Sequence, residues 1–212
     1  MEIKYIGIHH FGPSTPTGKF LKSSHLTEDN INNAHRQRWP DFPSEMTGKY
    51  IGYNCIIYPN GEMKQYRYIG EETAAQKGHN FDTVSICLAG NFTKGVELPT
   101  PEQRLRLKSL LGALLSGRLG SMGLEVKTGT TLNLSATRVV PHRVLQPNHT
   151  ECYGSGLSDG WAKDLIIPMN EEMERQKMLA TILHLCRKLL QLLQGNILGG
   201  AVKSCSTADV RG

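Results

Sequence analysis

Residues 141–152, PHRVLQPNHTEC, place two histidines and a cysteine in one turn-rich segment late in the chain. Neutral imidazole and thiolate are both good zinc ligands. A catalytic zinc usually takes three protein ligands and leaves a fourth position for water. The segment therefore predicts a metal-binding loop, and its third ligand must come from elsewhere in the chain.

The third ligand is expected at the end of the first predicted strand, where His9 and His10 follow an apolar run. A strand end is a rigid place for a ligand. Because side chains alternate across a strand, only one of the two histidines can face the same side as Gly7. We take His9 as the ligand and His10 as its support. The predicted ligands are His9, His142 and Cys152, and His149 is an alternative to His142.

Five segments in chain order carry a resemblance to a known family. They are IHH at 8–10, GYNCIIYPNGEM at 52–63, DTVSICLAGNF at 82–92, PTPEQ at 99–103 and PHR at 141–143. Together they resemble the zinc-dependent N-acetylmuramoyl-L-alanine amidases, a family that includes short phage amidases and the peptidoglycan recognition proteins. The resemblance runs from about residue 3 to residue 165, and its PHR motif favours His142 over His149 as the ligand.

The resemblance implies roles for further residues. Tyr53, which follows a glycine on the second strand, would stabilise the charge that forms on the amide oxygen, although a tyrosine in a strand can also simply fill the core. Thr150, two residues before the cysteine ligand, matches recognition proteins that have amidase activity, whereas short phage amidases carry lysine there. His79 and Asn80 are candidate substrate-binding residues, and a plain loop is the alternative.

The chain also departs from the family pattern. Cys87 stands where some branches have a glutamate base in the central strand, so no carboxylate is available there. We therefore expect the reaction to rely on Zn²⁺-activated water and Tyr53 rather than on a glutamate base. Ala74 and Ala75 replace an aromatic or histidine that lines the groove of many relatives.

Composition sets limits on partners and compartment. The 212 residues allow one domain plus an appendage. The formal net charge of +5 favours anionic polymers such as cell-wall material, but there is no dense Lys/Arg block, and nucleic acid is not an expected partner. Five scattered cysteines do not suggest a disulfide framework. The N-terminus lacks a signal-peptide pattern, so we expect cytoplasmic synthesis and action on the cell wall after release.

The expected fold class is α/β, with a mixed central sheet of about five strands flanked by helices and a long C-terminal helix. Thr27 is a candidate cap for a helix at 28–38, and Thr100 with Gln103 forms a capping box for the next helix. Asn60-Gly61 predicts a hairpin between strands at 50–58 and 62–68. Further strands are expected at 3–8, 84–88 and 136–141, and a short helix capped by Ser158 at 161–166.

The predicted domains are a zinc amidase domain at 1–168, an amphipathic helix at 169–194 and a flexible tail at 195–212. The helix has a wide apolar stripe that must be buried against the domain, a second copy of the chain or a membrane surface. It is too short and too interrupted by charges to span a bilayer, so no stable membrane insertion is expected. We favour packing on the domain or a homodimer over membrane contact.

The predicted function is hydrolysis of the amide bond between N-acetylmuramic acid and L-alanine in peptidoglycan, by a phage or prophage endolysin. A cytoplasmic amidase that recycles wall fragments is a second setting. A recognition module that binds peptidoglycan without cutting it is the rival from another class. Non-catalytic relatives typically lack the cysteine ligand, and this chain has Cys152.

Overall fold

The computed structural model describes residues 1–11, 23–147, 150–166, 175 and 177–191. The chain divides into two compact units, Met1–Ile167 and Pro168–Gly212, and each is described by itself. In the second unit the described residues are helical, and we call residues 177–191 the C-terminal helix. Along the described parts of the chain, no helix combines the length and the apolar character needed to cross a membrane.

The first unit is built on a mixed five-stranded sheet. The described residues of this unit form the strands β1 (Glu2–Ile3), β2 (Tyr5–Phe11), β3 (Cys55–Ile57), β4 (Met63–Gln65), β5 (Thr83–Ala89), β6 (Thr131–Leu132) and β7 (Val139–Pro141). The five-stranded sheet has the order β4-β3-β5-β2-β7, and β1 pairs separately with β6. Strand β2 is parallel to β5 and β7, β3 is parallel to β5, and β4 is antiparallel to β3. The expected mixed sheet is confirmed.

Four α-helices accompany the sheet: α1 (Glu28–Arg38), α2 (Pro101–Ser116), α3 (His142–Leu145) and α4 (Trp161–Asp164). Thr27 caps α1 by accepting a hydrogen bond from the backbone of Asn30, and Thr100 and Gln103 form the predicted capping box of α2. The buried Gln103 amide also donates to the carbonyls of Ile57 and Ala89, at 3.0 Å each. Gln103 of the capping box thus ties α2 to β3 and to the end of β5.

The two faces of the sheet contribute to different clusters of buried side chains. One cluster combines Leu107 and Leu110 of α2 with strand residues such as Ile86. The other combines Ile31 of α1 with Cys87, the neighbour of Ile86 on β5. His9 on β2 is in register with Cys87 on the parallel strand β5, so its side chain lies on the α1 side of the sheet.

Several elements differ from the sequence-based expectation, including the returning hairpin strand predicted at 62–68, which is observed as Met63–Gln65. The strand predicted at 50–58 is reduced to Cys55–Ile57, because backbone N–H groups before it bond to α1 instead of to a neighbouring strand. Tyr50 donates to Asn32 Oδ1 at 2.7 Å, and Gly52 donates to His35 Nδ1 at 2.9 Å.

The prediction that Ser158 caps the helix near Trp161 is wrong. Gly160 is the N-cap of α4, without a side-chain cap hydrogen bond, and Ser158 contributes only its backbone carbonyl, to the N–H of Trp161. The predicted strand at 136–141 is also shorter, because Ala136–Arg138 forms a 3₁₀ turn and the strand begins at Val139.

Candidate metal centre and groove

Two histidines and a cysteine meet where the parallel strands β2 and β7 end. His9 lies near the carboxyl end of β2, and His142 is the first residue after β7. Cys152 joins them, and one ligand atom from each of the three residues lies within 4.8 Å of the others. Carboxyl ends of neighbouring parallel strands share one edge of a sheet, which is where α/β proteins commonly bind ligands.

The cluster is tightly held. The Sγ atom of Cys152 lies 3.9 Å from His9 Nδ1, and the ring centroids of His9 and His142 are 4.6 Å apart. The backbone N–H of His10 donates to Cys152 Sγ at 3.3 Å. The ring Nδ1 of His10 accepts from the backbone N–H of Phe92 at 3.0 Å. His10 therefore supports the cysteine and the following loop rather than adding a fourth ligand atom to the group.

The surroundings of the cluster keep all three groups uncharged in the absence of a cation. Burial raises the pKa of Cys152 to about 12. Burial and the neighbouring His142 hold the pKa of His9 well below its usual value. Two neutral imidazoles and a thiol that releases its proton when a metal ion binds form a donor set that could hold such an ion.

An outer contact orients His142. His142 Nε2 lies 2.7 Å from Gln146 Oε1, and the Gln146 amide donates to the carbonyl of Lys77 at 2.8 Å. Gln146 was not predicted from sequence, although its position four residues after His142 is the spacing at which helical side chains meet. A hydrogen bond to the second ring nitrogen of a metal-binding histidine commonly fixes its tautomer.

The other histidine has its outer nitrogen beside Gln76. His9 Nε2 is buried without a hydrogen-bond partner among the described residues. A Cβ atom on Gly7 would lie 3.3 Å from His9 Nε2 and 3.5 Å from Gln76 Oε1, so the two atoms flank the same small space. Ser85 Oγ accepts from the Gln76 amide at 2.8 Å and holds it in place. Gly7 leaves room for this arrangement, which sequence reasoning missed.

Arg143, the residue after His142, anchors the loop that carries Cys152. Its backbone N–H donates to the carbonyl of Cys152 at 2.8 Å. Its guanidinium donates to the carbonyls of Gly154 at 2.9 Å and Leu157 at 2.7 Å, and to the carboxylate of Asp159 at 2.6 Å. The loop is therefore fixed to the residue that follows the metal-binding strand end.

A groove of about 770 Å³ opens beside the cluster. Tyr53 lines it while remaining only 8% exposed, and its ring centroid is 5.2 Å from that of His9. The other lining residues are His10, Phe11, Ala34, His35, Arg38, Trp39, Phe42, Glu72, Thr73, Ala74, Ala75, Gln76, Lys77, Asn80, His142, Gln146, Thr150 and Cys152. Tyr53 and the metal cluster thus face one shared space.

The remaining predicted site residues differ in their placement. Thr150 lines the groove, and its Oγ1 accepts from the backbone N–H of Cys152 at 3.1 Å. Asn80 also lines it, and its Oδ1 accepts from the backbone of Gln76 at 2.9 Å. His79 is not part of the lining: its ring lies edge-on to Tyr5, and its Nδ1 is 3.1 Å from Asp82 Oδ1.

A buried arginine holds together part of the wall of the groove. Arg67 is 1% exposed, and its guanidinium pairs with Glu71 at 2.9 Å. It also donates to the carbonyls of Phe42, Ile51 and Glu72, at 2.8, 2.8 and 3.1 Å. This single side chain joins three segments that border the groove.

Comparison with known proteins supports the fold. No protein-family model matches the chain, and no curated protein sequence matches it significantly. Among solved structures, the Ph2119 endolysin from the Thermus scotoductus MAT2119 bacteriophage Ph2119 is 18% identical with a TM-score of 0.51. The match covers 78% of this chain and 85% of the endolysin. The two chains share a fold. This is the fold that the sequence resemblance implied.

Two further solved structures have similar coverage. The endolysin amidase LysCS from Clostridium intestinale URNW is 20% identical, with a TM-score of 0.49, over 80% of this chain and 82% of its own. PGRP-SA from bumblebee is 23% identical, with a TM-score of 0.49, over 73% of this chain and 77% of its own.

Proposed function

We propose that the protein is a zinc-dependent amidase that hydrolyses the bond between N-acetylmuramic acid and L-alanine in peptidoglycan. The observation that carries the proposal is the cluster of His9, His142 and Cys152, of which His142 and Cys152 line one open groove together with Tyr53. The open shape suits a polymer that must lie across the site. The setting we propose is a phage or prophage endolysin that reaches the wall after release from the cytoplasm.

His9, His142 and Cys152 would hold the zinc ion. Two imidazoles and one thiolate are a ligand set found in catalytic zinc sites, in which a fourth position stays open. When bound, zinc supplies a Lewis acid that polarises an amide carbonyl and makes water more acidic. Gln146 would hold the tautomer of His142, and Gln76 would do the same for His9 by accepting a hydrogen bond from Nε2.

Tyr53 would donate a hydrogen bond to the amide oxygen as negative charge develops there. Burial holds the pKa of Tyr53 well above its usual value, so the phenol keeps its proton at neutral pH. A buried donor aimed at the developing charge typically accounts for about 10²–10³ in rate.

Thr150 would orient the substrate. Its oxygen accepts from the backbone of Cys152, which leaves its own proton for a donor contact in the groove. A hydroxyl adds no positive charge, so we assign it a smaller effect on rate than Tyr53. Cys87, buried on β5 in register with His9, offers no carboxylate to act as a base.

The test is digestion of purified peptidoglycan by a preparation whose zinc content is measured. The expected result is release of new L-alanine amino termini without new reducing sugar ends, at about one zinc per chain. Chelation should stop the release, and added zinc should restore it. Cys152→Ala should be inactive, whereas Cys186→Ala, which changes an exposed cysteine outside the site, should retain activity.

Three other outcomes would change the proposal. Zinc binding together with peptidoglycan binding but no cleavage would identify a recognition module. Absence of zinc from a folded, active preparation would mean that the ligand assignment is wrong. Activity restricted to small soluble wall fragments would favour the recycling amidase over an endolysin.

A further inference from the structure

The C-terminal helix has an apolar face that occupies nearly half of its circumference. At about 100° per residue, its apolar side chains fall within an arc of about 160°. The arc consists of Met178, Leu179, Ile182, Leu183, Leu185, Cys186, Leu189 and Leu190. All of them are exposed, with Met178 at 59% and Leu189 at 63%. Such a face requires a covering partner.

The opposite face of the helix is cationic. It carries Lys177, His184, Arg187 and Lys188, and no acidic residue lies within 177–191. The second unit as a whole has six Lys or Arg residues and four Asp or Glu residues, and its acidic residues precede or follow residues 177–191 in the sequence. Within the described helix, the positive charge of Lys177, Arg187 and Lys188 is therefore not offset by any acidic side chain.

A second copy of the helix is a poor fit to this face. The apolar residues form two adjacent lines with 4-3-4 spacing, and the two lines together give an arc wider than the narrow seam that a two-stranded coiled coil buries. Two copies would also bring together segments that both carry an excess of positive charge. Nucleic acid would satisfy the cationic face but would leave the broad apolar arc exposed to water.

An anionic lipid surface satisfies both faces at once. The helix is roughly 22 Å long, shorter than the hydrocarbon core of a bilayer, so it would lie in the interface rather than cross it. Apolar side chains then enter the boundary between headgroups and acyl chains, while the basic residues stay at the level of the lipid phosphates. Each Lys or Arg near such a surface strengthens binding by about fivefold.

We propose that the C-terminal helix binds the surface of an anionic phospholipid bilayer, with its axis parallel to the membrane plane and its apolar arc inserted. The inference rests on the exposed arc and on the cationic face opposite to it. It does not depend on the proposed amidase activity.

The test is flotation of the full-length protein with vesicles. Vesicles of phosphatidylglycerol and phosphatidylethanolamine should bind at least about tenfold more protein than vesicles of phosphatidylcholine, and added salt should weaken the binding. Leu185→Glu, in the middle of the apolar arc, should lower binding at least about tenfold. The matched control is Leu105→Glu, which places the same change on a leucine of α2 that is 68% exposed, and it should bind like the parent.

The charge is tested separately. Replacing Arg187 and Lys188 together by Gln should lower binding to anionic vesicles by about 25-fold and leave the weak binding to neutral vesicles unchanged. Thermal unfolding of each variant should match the parent, which shows that the first unit is intact.

Three results would overturn the proposal. They are equal binding to neutral and anionic vesicles, binding that survives Leu185→Glu, and absence of binding by a folded parent. Sedimentation velocity of the same proteins tests the main alternative, which is a dimer formed through the apolar arc. A dimer that Leu185→Glu dissociates, together with no vesicle binding, would assign the apolar arc to a second copy of the chain.

Discussion

The Sγ atom of Cys152 lies 3.9 Å from His9 Nδ1, although 143 residues separate the two in the chain. The contact exists only when β2 and β7 are adjacent and the loop after α3 has returned over the strand ends. A metal ion held there would bind the folded unit and not the unfolded chain. Metal binding and the stability of the whole unit are then linked by mass action.

Cys152→Ser should greatly weaken metal binding, because a serine hydroxyl is not a thiolate ligand. We expect zinc affinity to fall at least about 100-fold. Competition with a chromophoric chelator measures this directly. Cys55→Ser, at a buried cysteine in the cluster of α2, should leave the affinity unchanged, although it can lower stability. Equal affinities of the Cys152→Ser and parent proteins would show that the three residues do not form the metal site.

Gln76→Leu should weaken zinc binding by about 10- to 100-fold, the usual effect of removing an acceptor beside the outer nitrogen of a histidine ligand. Leucine fills a similar volume but cannot accept from His9 Nε2. Gln76→Glu keeps an acceptor at that position and should retain most of the affinity. A purely structural role for Gln76 predicts that both variants lose stability while folded molecules bind zinc like the parent.

Tyr53→Phe should lower kcat by about 10²–10³ while leaving zinc affinity within twofold, because only the phenol donor is removed. Release of amino termini from peptidoglycan under saturating conditions reports the rate. The control is Tyr58→Phe, which removes a hydroxyl that contacts Tyr66 at 2.9 Å outside the groove lining. A matching loss of rate in the control would point to a general effect of removing a tyrosine hydroxyl.

His35 should make the apo protein sensitive to mild acid. Burial, with smaller contributions from Arg38 and Arg67, lowers the pKa of His35 to about 4 in the folded chain. The unfolded chain has a histidine pKa of about 6.5, so it takes up the proton first as pH falls. Above about pH 6.5, His35 therefore does not lower the free energy of unfolding. Between there and about pH 4, the free energy of unfolding falls by about 3 kcal/mol because of this residue.

The measurement is the free energy of unfolding with chelator at pH 7 and pH 4, for the parent and for His35→Asn. Asparagine keeps an oxygen near the position from which His35 Nδ1 accepts from Gly52. The variant should lose about 3 kcal/mol less than the parent over this range. His184→Asn, at an exposed histidine of the C-terminal helix, should behave like the parent. Identical pH dependence of parent and His35→Asn would rule out His35 as the group responsible.

Local rules predicted much of the fold. Thr27 and Thr100 act as helix caps because each side chain accepts a hydrogen bond from the backbone N–H three residues later. Asn60-Gly61 joins the antiparallel strands β3 and β4, as hairpin turns do. The segment before Cys55 failed as a strand for a tertiary reason. Its apolar residues suit a strand, but Asn32 and His35 on α1 take its backbone donors. No pattern within the segment reveals that competition.

The site was predictable where chemistry restricts the choice of residue. Few side chains bind metal well, so histidines and a cysteine near predicted strand ends were visible as candidates. Gln76 and Gln146 were not visible as candidates, because amide side chains occur throughout loops. The role of Gln76 depends on His9, which is 67 residues away, and that of Gln146 depends on His142, which is 4 residues away. The positions of His79 and Asn80 show the same limit. Adjacent loop residues diverge, with Asn80 lining the groove and His79 beside Tyr5.

Arg67 has a consequence for how this protein can vary. Its guanidinium bonds to the backbone carbonyls of Phe42, Ile51 and Glu72, and it also lies 4.4 Å from the centre of the Phe42 ring. Ile51 is fully buried in the core, whereas Glu72 is half-buried and lines the groove. A substitution at Glu72 can therefore change the groove surface and keep the backbone hydrogen bond to Arg67. Arg67 itself has no such freedom, because lysine lacks the planar fork that serves several acceptors at once. In a library of random variants, substitutions should be tolerated more often at Glu72 than at Arg67 or at the buried Ile51.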